Sequence, residues 1–295
     1  MLRGKLLKIA VGLAIGLSTV SASAQEIVVR GKGFTEQLIM AEMTAQLLKA
    51  NGLKPDKRVG MGSAVVRQAL ESGQVDLYWE YTGTALSVYH KVQEPLGAKE
   101  GYEKIRQLDA EKGLIWLEPS KVNNTYAIGM LQPTSKELGI ESISDLAQAY
   151  NSGKELTIGV NAEFAKRADG LPGVEKAYGF QVPLDSIKKM DFGLSYQALQ
   201  EKQVAAAMVT STDGRIIAFD LKVLEDDKNF FPTYLLTPVV RKSVLDAHPK
   251  LAEILNQLSG KLDSNTILKL NAAVDVEKKS VEEVAVEFLR SQNLI

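Results

Sequence analysis

The sequence predicts an α/β protein made of two similar lobes, each with its own sheet. Short runs of β-forming residues alternate with helical patterns along the chain. Removing a predicted leader at positions 1–24 leaves a mature chain that runs from Gln25 to Ile295. That length exceeds the ~250 residues at which single cores usually stop growing. The two halves also share short matching segments, which favours a repeated unit.

The first half contains a series of strands and helices in alternation. Apolar residues at helical spacing predict a helix from about Thr35 to Asn51, after a strand at Glu26–Gly31. A second strand at Arg58–Gly62, a helix at Val65–Ser72 and a third strand at Val75–Tyr81 follow. This alternation is typical of α/β architecture.

The second half begins a similar series. Thr125–Met130 and Leu156–Val160 are predicted strands, with a helix at Asp145–Tyr150 between them. The part of the chain after about Leu236 is mostly helical by its apolar spacing. We therefore expect the last segment to pack on one of the lobes.

An internal repeat links the two series. Gln68–Leu70 matches Gln197–Leu199, and Gln74-Val75 matches Gln203-Val204, both at an offset of 129 in the numbering. Gly33-Phe34 and Glu163-Phe164 correspond at an offset of 130. The matches are short, but they agree with the order of strands and helices in both halves.

The N-terminus has the pattern of a secretory signal peptide. Three basic residues precede the apolar run Ile9–Val20, and Ala22–Ala24 has the small residues of a cleavage site. The apolar run is too short to span a membrane, although a buried N-terminal helix is an alternative reading. We expect cleavage after Ala24. With no cysteine to carry a lipid anchor, an exported protein fits a periplasm best.

Composition and motifs disfavour several classes of function. The leader contains three of the 35 basic residues, so the mature chain has 32 basic and 36 acidic residues, a net charge of −4. Such a chain is a poor candidate for binding nucleic acid or an anionic membrane. His90 and His248 have no metal-ligand spacing, and no nucleotide or serine-hydrolase motif is present. We expect no catalysis, metal or cofactor.

Aromatic residues cluster near the ends of predicted strands. Tyr78, Trp79 and Tyr81 lie in one strand, Tyr126 begins another, and Tyr234 lies where the chain would return from the second lobe. Ligands of open α/β sheets bind at the carboxyl ends of strands. Aromatic faces there attract a cation without a counter-charge, although each tyrosine could equally be a half-buried strand residue.

Six segments of the chain, in order, resemble the substrate-binding proteins of osmoprotectant ABC importers, which bind glycine betaine, choline, carnitine and proline betaine. They are Gly31–Gln37, Tyr78–Thr84, Asn123–Ala127, Arg167–Gly170, Ser211–Arg215 and Tyr234 with Pro238–Arg241. The resemblance implies a two-lobed periplasmic-binding-protein clamp of type II with the ligand in the hinge cleft. It also implies delivery to an ABC permease in the inner membrane. We expect a monomer, with lobe 1 formed by 25–127 plus 236–295 and lobe 2 by 128–235.

The resemblance also assigns roles to individual residues. Tyr81, Tyr126 and Tyr234 match the aromatic box around the trimethylammonium group, which has no N–H to donate. The positions that hold the carboxylate match Lys32, Thr84 and Arg167, whose cations and hydroxyl suit charge-assisted hydrogen bonds. Arg167 could alternatively pair with Asp169 or Glu163. Further candidates for the site are Gln37, Asn124 and Thr210.

Two positions depart from the family pattern. Thr210 stands where the family usually has another box tyrosine, and the repeat offset also pairs it with Tyr81. Asn124 replaces a frequent acidic residue. Either affinity is lower, or the ligand is different, for example a ring-bearing betaine such as ergothioneine. Trp79 and Tyr196 are candidates to replace the missing ring. A clamp for an amino acid or another zwitterion remains open, as does a receptor that senses ligand.

Overall fold

The computed structural model describes residues 26–92, 94 and 96–295, so the predicted signal peptide lies outside the described residues. Within these ranges, none of the helices has the length and apolar character needed to cross a bilayer.

The strands and helices follow each other in alternation through both halves. The strands are β1 (Ile27–Lys32), β2 (Pro55–Met61), β3 (Leu77–Tyr81), β4 (Leu114–Trp116), β5 (Tyr126–Leu131), β6 (Ile158–Val160), β7 (Ile187–Lys189), β8 (Ala206–Thr210), β9 (Leu221–Val223) and β10 (Leu236–Arg241). The helices are α1 (Thr35–Ala50), α2 (Ser63–Glu71), α3 (Thr82–Thr84, continued by a π-helical turn at Ala85–Tyr89), α4 (Ala98–Ala110), α5 (Gln132–Leu138), α6 (Ile143–Asn151), α7 (Leu171–Tyr178), α8 (Phe192–Gln200), α9 (Arg215–Ala218), α10 (Lys242–Ala247), α11 (Leu251–Ser259), α12 (Ser264–Asp275) and α13 (Val281–Ser291). A 3₁₀ turn, Leu184–Ser186, precedes β7.

The strands of the described residues form two sheets with the same construction. Their orders are β2-β1-β3-β10-β4 and β7-β6-β8-β5-β9. In the first sheet, β1 is parallel to β2 and β3, whereas β10 is antiparallel to β3 and β4. In the second, β6 is parallel to β7 and β8, and β5 is antiparallel to β8 and β9. The predicted α/β fold with two sheets is confirmed. Below, lobe 1 is the first sheet with its helices and lobe 2 the second.

The internal repeat corresponds to equivalent elements of the two lobes. Helices α2 and α8 have the same length, and their first residues, Ser63 and Phe192, are related by the repeat offset. The first residues of the central strands β3 and β8, Leu77 and Ala206, are related by the same offset. The match therefore reflects the same helix–strand unit used once in each lobe.

The central strands are buried along their whole length, because helices cover both faces of each sheet. All five side chains of β3 and all five of β8 are buried. On α1, the apolar residues Ile39, Met40, Met43 and Leu47 face the core of lobe 1. Glu80 on β3 is also fully buried, but unlike its neighbours on the strand it carries a carboxylate. A buried charge needs a partner, and this one lies at the candidate site.

The chain passes between the sheets just before β5 and again just before β10. The two passing segments are hydrogen-bonded to each other. The Asn124 amide donates to the Tyr234 carbonyl at 3.1 Å, and the Tyr234 amide donates to Asn123 Oδ1 at 2.8 Å. This pairing fixes both connections side by side, next to the strand ends that carry the candidate residues.

Candidate ligand-binding site

A cavity of about 730 Å³ lies between the lobes at the carboxyl ends of their parallel strands. Its walls come from the ends of β1, β2 and β3 on one side and from the ends of β6, β7 and β8 on the other. Eight of the nine residues proposed from the sequence line it, namely Lys32, Tyr81, Thr84, Asn124, Tyr126, Arg167, Thr210 and Tyr234. The structure thus brings together residues from both halves of the chain, from Lys32 near its start to Tyr234.

Gln37 is the candidate that does not line the cavity. It lies behind the wall, where its Nε2 donates to the Tyr81 hydroxyl at 3.1 Å and its Oε1 accepts from the Lys32 amide at 3.4 Å. Direct ligand contact by Gln37 therefore stays a prediction that this arrangement does not favour. The side chain instead orients two residues that do face the cavity.

The three tyrosines all line the cavity, and two of them are in contact. Tyr126 and Tyr234 make an edge-to-face contact, with ring centroids 5.5 Å apart and planes at 71°. Tyr81 and Tyr234 are only 5% and 2% exposed, so their rings are part of the core as well as the wall. Tyr126 is half-buried. The sequence-based picture of exposed rings is therefore too simple, because most of each ring is covered by protein.

Buried carboxylates hold two of the phenols. The Tyr81 hydroxyl donates to Glu36 at 2.6 Å, and the Tyr234 hydroxyl donates to Asp169 at 2.7 Å. Burial, followed by the adjacent carboxylate charge, raises the pKa of both phenols well above their ordinary value. Both phenols therefore stay protonated, and hydrogen bonding to an anion enriches the π-face that each ring offers.

Glu36 connects both lobes and was not singled out by the sequence. Besides Tyr81, its carboxylate accepts from Thr212 at 2.6 Å and from Asn124 at 3.1 Å. Burial raises the pKa of Glu36, and the hydrogen bonds only partly offset this effect. Asn124 stands where the family often has an acidic residue, and the structure places the carboxylate of Glu36 beside it. Its own Oδ1 is buried and has no hydrogen-bond partner among the described residues.

Both candidate cations have buried anionic partners. Lys32 donates to Glu80 at 2.5 Å, and its ammonium lies 5.0 Å from the Tyr81 ring centre. Arg167 forms a fork with Asp169, with Nε and Nη2 at 2.7 and 2.5 Å from the two carboxylate oxygens. The alternative that Arg167 pairs with Asp169 is therefore present in the structure.

Arg167 nevertheless keeps hydrogen-bonding capacity toward the cavity. Its Nη2 also donates to Thr84 at 3.2 Å, whereas Nη1 approaches Glu163 at 3.8 Å and makes no hydrogen bond to any described residue. Burial works against the charge of both partners. Their pairing outweighs this effect of burial, so the pKa of Arg167 is raised and that of Asp169 is lowered. The pair is charged at neutral pH, with N–H donors left for a ligand carboxylate.

Thr210 lies on the cavity wall opposite Tyr126 in the β5–β8 pairing and is 6% exposed. Its amide donates to the Tyr196 hydroxyl at 2.9 Å. Tyr196 and Trp79 are themselves fully buried and do not line the cavity. Neither ring therefore replaces the tyrosine missing at position 210.

Two phenylalanines line the cavity instead. Phe34 follows β1 and Phe192 begins α8, and their ring centroids are 5.3 Å apart across the gap between the lobes. Phe34 could have been predicted from the sequence, because it lies in a segment that resembles the family. For Phe192 the sequence offers only its repeat relation to Ser63. In the described part of the chain, no group of three or more His, Cys, Asp and Glu residues could hold a metal ion.

The fold and cavity define a two-lobed clamp of the periplasmic-binding-protein class. A model of the substrate-binding domain of ABC-type glycine betaine transport systems matches residues 25–291, and the chain belongs to this family. The predicted fold class, family and transport role are thereby confirmed. Members of the family are transport proteins that work with a permease, and the family is not one of enzymes.

Individual relatives agree with this assignment. A glycine-betaine-binding protein of Pseudomonas aeruginosa is 41% identical over 280 residues, covering 93% of this chain and 90% of the relative. An ergothioneine transport permease and binding protein, EgtU of Helicobacter pylori, is 35% identical over 91% of this chain, which is 48% of that protein. A solved structure titled as a glycine betaine/carnitine/choline ABC transporter matches with a TM-score of 0.72 and 30% identity, covering 91% of this chain and 99% of that one.

Proposed function

We propose that this protein captures a small betaine-type zwitterion in the cavity between its lobes and delivers it to an ABC permease in the inner membrane. One observation carries the proposal: Tyr81, Tyr126 and Tyr234 line the same cavity as Arg167 and Thr84. A trimethylammonium group suits the first set and a carboxylate suits the second.

The aromatic region suits a quaternary ammonium for physical reasons. Such a group donates no conventional hydrogen bond, so π-faces and dispersion must hold it. The carboxylates of Glu36 and Asp169 lie behind Tyr81 and Tyr234 and accept their phenol protons. Asp169 adds negative potential behind Tyr234 without contributing a direct counter-ion, because its pairing with Arg167 outweighs burial and lowers its pKa.

The polar region suits a carboxylate. Arg167 lines the cavity and has N–H donors on Nη1 that no described residue uses. Thr84 accepts from the same guanidinium at 3.2 Å, so its hydroxyl proton is free to point toward the ligand. Charge-assisted hydrogen bonds of this kind are the stronger class in proteins.

A bulkier zwitterion such as ergothioneine is the second candidate. Position 210 carries a threonine rather than a ring, which leaves room on the cavity wall for part of a larger ligand. EgtU, a relative at 35% identity, is named for ergothioneine. An imidazole-bearing betaine would occupy the space near Thr210.

Location, assembly and lobe limits are part of the same proposal. Export to the periplasm with cleavage after Ala24 follows from the charge, apolar run and small residues of the N-terminus. We also propose a monomer that does not bind nucleic acid, with lobes over 25–127 plus 236–295 and over 128–235, except that Tyr126 and Ala127 belong to lobe 2 because β5 pairs with β8 there. The chain passes between the sheets near both of these limits.

A thermal-shift panel tests the proposal. Purified mature protein is heated with glycine betaine, choline, carnitine, ergothioneine and a set of amino acids. A ligand at 100 times its Kd adds about 2.7 kcal/mol, which raises the Tm by several degrees in a chain of this size. We expect a shift with at least one betaine. Shifts with amino acids alone, or with none of the compounds, would contradict the proposal.

A further inference from the structure

Phe192 of lobe 2 contacts lobe 1 at the wall of the cavity. It is the first residue of α8, and its ring lies 5.3 Å from that of Phe34 with the planes at 32°. Phe34 is stacked on Tyr81 at 6.2 Å with the planes at 24°. Both phenylalanines line the cavity. A continuous aromatic surface therefore runs from the proposed box to the other lobe.

The internal repeat gives this contact a counterpart on the other side of the cleft. Phe192 corresponds to Ser63 at the offset of 129. Ser63 also reaches the opposite lobe, where its amide and hydroxyl both donate to Glu163 at 2.9 Å. A polar pair thus bridges the lobes at one repeat position and an aromatic pair at the other. Bridging alone does not require rings.

Phe192 also borders the wall that lacks the family tyrosine. Its ring lies 6.0 Å from that of Tyr196, one turn further along α8. The Tyr196 hydroxyl accepts from the amide of Thr210 at 2.9 Å. Phe192 and Thr210 are therefore neighbours through Tyr196, and both face the cavity.

We propose that Phe192 is a specificity-determining residue that, together with Phe34, supplies the aromatic surface missing at position 210. This inference rests on the proposed function. The ring comes from the lobe opposite Tyr81, so the complete surface exists only when the lobes are closed. A cationic ligand that contacts it stabilises the closed form by its differential affinity for that form.

The test distinguishes two contributions of Phe192 to ligand affinity, namely the π-electrons of its ring and simple apolar packing. Titration calorimetry, with displacement for the weaker ligand, gives the Kd of glycine betaine and of 3,3-dimethylbutanoate. This isostere carries a tert-butyl group in place of trimethylammonium. Phe192→Leu keeps apolar volume and removes the ring. We expect the preference for glycine betaine over the isostere to fall on the order of 2- to 30-fold, the range of a cation–π contact.

Three further variants complete the design. Ser63→Ala, at the corresponding position of lobe 1, removes a hydroxyl that bridges the lobes but no ring, so it should weaken both ligands by the same factor and leave the preference unchanged. Phe192→Tyr should keep the preference. Phe192→Leu with Thr210→Tyr should restore it, since a ring then returns to the family position. If Phe192→Leu does not fold by its thermal transition, Phe34→Leu replaces it with the same expected loss.

The outcomes distinguish this inference from the proposed function. If wild type prefers glycine betaine and Phe192→Leu keeps that preference in full, the role of Phe192 is wrong and the proposed function stands. Equal loss of both ligands in Phe192→Leu would also overturn it, because packing or closure would then explain the effect. If wild type binds glycine betaine no better than the isostere, this inference fails, whereas the proposed function fails only if no betaine of the thermal-shift panel raises the Tm.

Discussion

Arg167 has two roles: it pairs with Asp169 inside the protein, and it is predicted to contact the ligand. Its Nε and Nη2 hold Asp169 while Nη1 faces the cavity region near Glu163. Replacement by alanine would leave the Asp169 charge buried without a partner, which typically costs about 3–5 kcal/mol. A variant for testing ligand contact must therefore keep a cation at this position.

Arg167→Lys is expected to weaken glycine betaine by about 1.5–3 kcal/mol and to leave choline nearly unchanged, since choline has no carboxylate. The lysine keeps a charge for Asp169 but loses the donors of Nη1. Calorimetry with both ligands measures the difference. Arg215→Lys is the matched control, because Arg215 forks onto Asp213 at 2.9 and 2.6 Å but does not line the cavity. Equal losses for both ligands in Arg167→Lys would assign the residue to structure alone.

Glu36 is expected to make stability depend on pH. Burial raises its pKa above 4.5, so the folded state binds the proton more tightly than the unfolded chain. This contribution to stability is complete below the unfolded pKa and is lost as pH rises through the folded pKa. Glu36→Gln removes it, keeps an acceptor for Thr212 and Asn124, and can donate to the Tyr81 oxygen.

Denaturant unfolding of wild type and Glu36→Gln from pH 4 to pH 8 measures this effect. The stability of the variant relative to wild type should increase with pH above about 4.5, since only wild type carries the cost of a buried ionisable group. A difference that is constant across this range would mean that Glu36 titrates normally in the folded protein.

At the scale of elements, α3 approaches the segment just before β10 closely, and this approach positions the ring of Tyr234. A methyl group on Gly83 would lie 2.7 Å from Cδ1 of Tyr234 and 2.9 Å from the Thr233 carbonyl oxygen. Thr82 strengthens this contact by donating from its hydroxyl to the same carbonyl at 3.0 Å. The absence of a side chain at position 83 is therefore what allows Tyr234 to reach its place.

Gly83→Ala is expected to destabilise the fold by about 1–3 kcal/mol through overpacking and to weaken ligand binding, because the Tyr234 ring must shift. Gly97→Ala is the control at another helix start, where an added methyl group meets nothing within 4 Å. Thermal unfolding and calorimetry of both variants test this. A Gly83→Ala protein with unchanged stability and affinity would show that Tyr234 is not held by α3.

Sequence patterns predicted the elements well, since these depend on local periodicity. The repeat offset correctly predicted two equivalent lobes. The matched segments placed seven candidate residues around one cavity, and the departure at position 210 added Thr210. The roles of Glu36 and Phe192 could not be predicted in the same way. Glu36 meets Thr212, which is 176 residues away, and Phe192 meets Phe34 from the other lobe. Contacts of this kind depend on how the lobes face each other, which local patterns do not encode.

At the scale of the whole molecule, the two lobes act as opposite walls of one site. Lobe 1 contributes Lys32, Tyr81 and Thr84, and lobe 2 contributes Arg167 and Phe192. A ligand that touches both sets favours the closed form over an open one. The complete aromatic surface needs both lobes, because Tyr81 and Phe34 come from lobe 1 whereas Tyr126 and Phe192 come from lobe 2.

The structure of the protein crystallised with glycine betaine tests the central claim most directly. The account predicts the trimethylammonium group against Tyr81, Tyr126 and Tyr234, within about 6 Å of their ring centres, and the carboxylate on Arg167 and Thr84. It also predicts the Phe34–Phe192 contact across a closed cleft. Glycine betaine bound outside this cavity, or inside it with the ammonium group directed away from the three tyrosines, would contradict the account.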